Sequence, residues 1–178
     1  MKRVIAMKRW VGILLTLAAV ESSAQMQTAV QAEQTLRRAL DAMATKQQSG
    51  GWAMAWSVDG QITWGEYRSI PSQWITVQPP ATPGIAAVYL HAARILKDPA
   101  CEKRAAMARD ALIAVMTPDD GFPYEADPAG QKIKQATFDD NTTTGALDFL
   151  IELWQHTKGE LEYKAVLRVG EFLLILQR

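Results

Sequence analysis

Apolar residues recur at helical spacing over roughly Thr28 to Gln48, Pro83 to Lys97, Glu102 to Met116 and Thr142 to His156, with a fifth stretch from Glu162 to the end. Ile85, Val88, Tyr89, Ala92 and Leu96 form one such stripe, and Leu147, Leu150, Ile151 and Trp154 another. The edges are marked by residue chemistry. Pro83 suits a first helical turn, Lys97-Asp98-Pro99 stops one helix, and Thr117-Pro118-Asp119-Asp120-Gly121 prevents the helix ending at Met116 from continuing.

Between the helical stretches a turn is written twice. Gly51-Trp52 followed by Val58-Asp59-Gly60-Gln61 recurs as Gly121-Phe122 followed by Pro128-Ala129-Gly130-Gln131, and the hairpins align as Gly84 to Lys97 with Gly145 to Lys158. Ala105 to Met116 likewise aligns with Ala165 to Leu176, which runs into Gln177-Arg178 where a third turn is due. Repetition at a fixed interval predicts a repeat architecture. The expectation is an all-α chain of repeated α-hairpins forming a partial (α/α) toroid over residues 25–178, with an open helical array as the alternative. An incomplete set of hairpins leaves apolar faces without partners, so self-association is expected.

Composition then removes several possibilities. Lys2, Arg3, Lys8 and Arg9 precede an apolar run from Trp10 to Val20, and Ser22-Ser23-Ala24 follows, which predicts a signal peptide over residues 1–24 and a secreted or periplasmic protein. The apolar run is too short to span a bilayer, so no membrane association is expected after cleavage. The leader holds four of the 19 basic residues and one of the 19 acidic ones, leaving 15 against 18. A mildly acidic mature chain without a Lys/Arg block gives nucleic-acid binding little support. Cys101 is the single cysteine, so no intramolecular disulfide forms. His91 and His156, the only histidines, each sit in a helix pattern and read as packing or capping residues.

The links carry the candidate chemistry. Trp64-Gly65-Glu66-Tyr67-Arg68, with Trp74 beyond it, concentrates aromatics, a carboxylate and a cation. Flat rings stack on sugar C–H faces and Arg68 can grip a carboxylate by paired hydrogen bonds; equally, the segment can plug the gap between hairpins, with Glu66 paired to Arg68. Thr137-Phe138-Asp139-Asp140-Asn141-Thr142 precedes a helix, where one side chain can cap the N-terminus. A neighbouring carboxylate then remains to bind Ca2+, a hard cation that takes oxygen ligands.

Several of these segments occur together in a known order. Gly50-Gly51-Trp52, Trp64-Gly65-Glu66-Tyr67, Val77-Gln78-Pro79-Pro80-Ala81-Thr82-Pro83, Asp120-Gly121-Phe122-Pro123-Tyr124 and Ala136-Thr137-Phe138-Asp139-Asp140 resemble the pectic acid lyases, or pectate lyases, of polysaccharide lyase family ten. The resemblance covers about Leu36 to Arg178, the N-terminal portion of such a protein. It implies calcium-assisted β-elimination on polygalacturonate, an acidic plant polysaccharide, in which an arginine removes the C5 proton and the C4 oxygen departs. Asp139 and Asp140 match the acidic pair that would hold calcium or substrate. Trp52 and Trp64 match the aromatic turn positions, and Trp56, Glu66, Tyr67, Phe122 and Tyr124 join them as candidate substrate contacts. No position matches the family's base, which lies in the later half; Arg68 is the candidate on local chemistry. Asn141-Thr142-Thr143-Thr144 and Ala53 depart from the pattern, so the expected protein is lyase-like and incomplete. The alternatives are a non-catalytic carbohydrate-binding repeat module and a toroidal glycoside hydrolase using Glu66 and Asp140.

Overall fold

A computed structural model describes residues 26–177, and the expected leader over residues 1–24 lies outside the described residues. The chain divides into two compact units, Met1–Thr45 and Lys46–Arg178. The described part of the first is helix α1 over residues 26–44, whose exposed face carries an Arg37–Glu33 pair one turn apart at 2.9 Å.

The second unit holds two helical hairpins. Helix α2 (Thr82–Leu96) leads to α3 (Pro99–Val115), and α4 (Thr142–Thr157) leads to α5 (Glu160–Leu176). Lys97 and Lys158, both in the left-handed conformation, end α2 and α4. Asp98 accepts from the Ala100 N–H at 2.9 Å and caps α3, so Pro99 opens a helix as well as closing the previous one. Helix α2 packs on both α3 and α4, and α4 on α5. Leu90, Leu112, Leu150, Leu153 and Val169 are fully enclosed between them. Glu162 is 1% exposed and pairs with Arg109 at 2.6 Å, tying α5 to α3 through a buried charge. His91 of α2 pairs with Glu152 of α4, which also accepts from Arg94 at 3.3 Å.

The expected all-α fold is overturned. The described residues are 57% helical, and the links form two small antiparallel sheets, so the architecture is mixed α and β and not an all-α partial toroid. Strands β1 (Ala55–Trp56), β2 (Thr63–Trp64) and β3 (Ser69–Ile70) form one sheet in that order, with Ala55 opposite Trp64 and Thr63 opposite Ile70. Strand β4 (Ile75–Thr76) pairs with β5 (Glu125–Ala126), joining the two links, with Ile75 opposite Ala126 and Thr76 opposite Glu125. The physical cause is burial. Trp52, Ile75, Val77 and Phe122 are wholly enclosed, and backbone polar groups taken out of water with them need partners that these short ladders provide.

The two links share one root. The Trp52 N–H donates to Thr82 Oγ1 at 2.9 Å, and the Trp52 carbonyl accepts from the Thr76 N–H at 2.9 Å. The Phe122 N–H donates to Thr143 Oγ1 at 3.3 Å, and its carbonyl accepts from the Thr137 N–H at 2.7 Å. Farther out, Gly60 donates to the Ser57 carbonyl at 2.8 Å and Gly130 to the Asp127 carbonyl at 3.0 Å, closing equivalent turns. The hairpin ends differ: Val115 and Met116 at the end of α3 are buried, whereas Ile175 and Leu176 of α5 are exposed.

Candidate functional site

Three segments far apart in sequence converge at the rim of the links. Gly65 leaves β2 and lets the chain turn through Glu66, Tyr67 and Arg68 into β3, with the Gly65 N–H donating to the Arg68 carbonyl at 3.0 Å. Tyr124 and Glu125 arrive from the second link, fixed by the Val77 N–H on the Tyr124 carbonyl at 2.8 Å and by the β4–β5 pairing. Asp139 and Asp140 arrive last, in a short 3-10 turn before α4.

Asp140 reaches the others because it does not cap α4. The helix starts with no side-chain cap bond at Asn141, and both Asp140 (φ 48) and Asn141 (φ 60) take left-handed backbone angles. Asp139 Oδ1 accepts from the Asp140 N–H at 3.1 Å, while Thr142 Oγ1 donates to the Asp139 carbonyl at 2.9 Å. Asp140 Oδ2 is left to accept from the Tyr124 hydroxyl at 3.1 Å.

A recess of about 220 Å3 is lined by Glu66, Tyr67, Arg68, Tyr124 and Glu125. A neighbouring recess of about 250 Å3 shares Arg68, Tyr124 and Glu125 and continues past Trp74, Ile133 and Gln135. Tyr67 is 81% exposed and offers a ring to solvent. Arg68 lies 5.9 Å from the Trp74 ring centroid and 3.5 Å from Glu125 Oε2. Glu66 Oε2 is buried without a hydrogen-bond partner among the described residues.

The rim places two phenols among carboxylates. Loss of water contact raises the Tyr124 pKa above the ordinary tyrosine range, helped by its bond to Asp140 and by the charges of Asp139, Asp140 and Glu66. Tyr67 is raised first by the Glu66 carboxylate acting as its acceptor, then by desolvation and by the charges of Glu66, Asp140 and Asp139. Among the described residues no three His, Cys, Asp or Glu side chains group closely enough to hold a metal unaided.

The remaining candidates lie elsewhere. Trp52 and Phe122 are 0% exposed, and Trp52 stacks on Tyr89 with centroids 5.5 Å apart, so neither presents a face to a sugar. Trp56 and Trp64 are half-buried on adjacent strands, and the Trp56 indole N–H is enclosed with no acceptor among the described residues. Glu125 was not foreseen. Its only trace in the sequence is the glycine sixty positions earlier that makes room for it, and nothing local connects the two. Asp120, in the tight turn, pairs instead with Arg168 of α5.

A scan of family models and searches of curated proteins and of solved structures return no match to this chain. Among the described residues no helix is long and apolar enough to cross a membrane.

Proposed function

We propose that this protein is a secreted, pectate-lyase-like protein that binds polygalacturonate at the rim site. The observation that carries this reading is the meeting of Glu66, Tyr67, Arg68 and Tyr124 around two adjacent recesses, with Asp140 bonded to the Tyr124 hydroxyl at their edge. Polygalacturonate presents one carboxylate per ring, and each component has a counterpart here. The Arg68 guanidinium receives a carboxylate, and the exposed Tyr67 ring stacks on a sugar face. Asp139 and Asp140 would repel a polyanion unless a cation intervenes, so this pair would hold calcium together with a uronate that supplies further oxygens. Calcium so bound would acidify the uronate C5 hydrogen. Elimination would move the C5–H electron pair into a C4=C5 double bond as the C4–O bond breaks and the departing oxygen takes a proton from water; Arg68 would accept the C5 proton only as the neutral guanidine, a role exclusive of gripping the carboxylate as a cation.

A second reading is binding without cleavage, and one observation favours it. The Arg68 side chain is 68% exposed and already paired with Glu125, so water reaches the group that would have to act as base. Both are tested by mixing the purified protein with polygalacturonate and calcium. A rise in the absorbance of 4,5-unsaturated uronate ends, abolished by EDTA, supports the lyase. Retarded migration through a pectin-containing gel without that rise supports the binding protein, and neither signal overturns the uronate assignment.

A further inference from the structure

Arg68 is a long, exposed side chain that solvent alone would leave mobile, yet it is held from two sides. One guanidinium nitrogen lies 3.5 Å from Glu125 Oε2, and the group sits over the Trp74 ring at 5.9 Å. The Glu125 side chain is only 10% exposed and rests on Gly65. A Cβ at position 65 would lie 1.3 Å from Glu125 Oε1, so the carboxylate occupies the volume that every other residue would fill. The backbone supports the same placement, because Gly65 bonds to Arg68 at 3.0 Å and Glu125 is fixed opposite Thr76 in the β4–β5 ladder. So screened a pair adds little to stability, and its consequence is geometric.

We propose that Glu125 is a positioning residue: seated on Gly65, its carboxylate holds the Arg68 guanidinium over Trp74 as a fixed receptor for the carboxylate of a uronate. This rests on the polygalacturonate reading above. Glu125 engages one of the two terminal nitrogens, and among the described residues no other hydrogen-bond partner takes the remaining N–H groups of the planar fork, which can receive a second, bidentate carboxylate. Holding the fork in place beforehand removes the ordering cost that a mobile arginine would meet on binding. The site thereby discriminates a uronate from a neutral sugar of the same shape, which offers the fork no charge.

The test uses Glu125→Gln, which keeps shape and removes charge, and Gly65→Ala, whose methyl displaces a flexible side-chain end and so leaves the fold intact. Without ligand, 15N relaxation of the Arg68 Nε–H, assigned by its loss in Arg68→Lys, should report an ordered side chain in the parent. In both variants it should become mobile. In a Glu125→Ala background, Gly65→Ala should add nothing, since the group it displaces is gone. With trigalacturonate and calcium, the variants should bind about tenfold more weakly, while any residual affinity for a neutral galactose trimer stays unchanged. An Arg68 signal equally ordered, or equally mobile, in parent and Glu125→Gln overturns the positioning role. Order lost in the variants while the parent binds no trigalacturonate leaves Glu125 as the anchor and overturns the uronate as ligand.

Discussion

The roots and the rims of the two links obey different rules. At the roots, Trp52 with Thr76 and Thr82 is reproduced by Phe122 with Thr137 and Thr143, down to the six-residue step between the two threonines. At the rims the copies part company. Twenty-four positions separate Trp52 from Thr76, but only fifteen separate Phe122 from Thr137. The longer first link makes β2 and β3 and carries Glu66, Tyr67 and Arg68, while the second contributes Tyr124, Glu125 and the Asp139-Asp140 turn. What is repeated is scaffold, and what is not repeated is where the titratable groups collect. A repeat can therefore be informative about fold while its best-matched aromatics are the wrong place to look for a ligand.

If the roots are equivalent, breaking either should cost the same. Trp52→Ala and Phe122→Ala should each lower stability by about 3–5 kcal/mol in urea unfolding, as expected for an aromatic removed from a closed core. A large loss at one and a small loss at the other would end the equivalence.

The threonines come next in size. Thr82→Val and Thr143→Val should each cost roughly 1–3 kcal/mol, because each strands a buried backbone N–H; at Thr82 the hydroxyl also donates to the Trp52 carbonyl at 3.0 Å. The rim should behave in the opposite way. Tyr67→Ala and Asp140→Asn should shift unfolding by no more than about 0.5 kcal/mol and weaken polygalacturonate retardation by about tenfold.

The smallest effect is on titration. Tyr124 holds its proton above the usual tyrosine range near 10. The unfolded chain therefore loses that proton first. The resulting stabilisation is present below the unfolded pKa and is lost as pH rises through the folded value. Ultraviolet titration should show Tyr124 ionising late in the parent and earlier in Asp140→Asn, with Tyr124→Phe identifying the signal. No difference between parent and Asp140→Asn would remove the Tyr124–Asp140 contact from the account.

Helices were legible because their boundaries are written in local chemistry, Pro83 in the first turn of α2 and Lys97-Asp98-Pro99 at its end, although the enclosed faces are offset from the expected stripes: Ala86, Leu90 and Ala93 of α2 and Ala146, Phe149 and Leu153 of α4 are buried, whereas Val88 is exposed. The strands were not, since two residues such as Thr63–Trp64 carry no alternation to detect, and they pair because the buried link roots demand it. The acidic pair read as a cap or a ligand, and only the left-handed turn at Asp140 shows its carboxylate turned toward Tyr124. Glu125 was invisible for the same reason: its role depends on Gly65, sixty residues away, and sequence order places nothing between them that says so.

The central claim is that the rim, and not the repeated aromatics, takes an acidic sugar through its carboxylates and a shared cation. Titration calorimetry of oligogalacturonate into the protein with calcium, repeated with EDTA and with Asp139→Asn/Asp140→Asn, tests it directly. Saturable binding should disappear in EDTA and in the double variant, whose unfolding midpoint should be unchanged. Binding that persists undiminished in the double variant, or no binding by the parent, would contradict it.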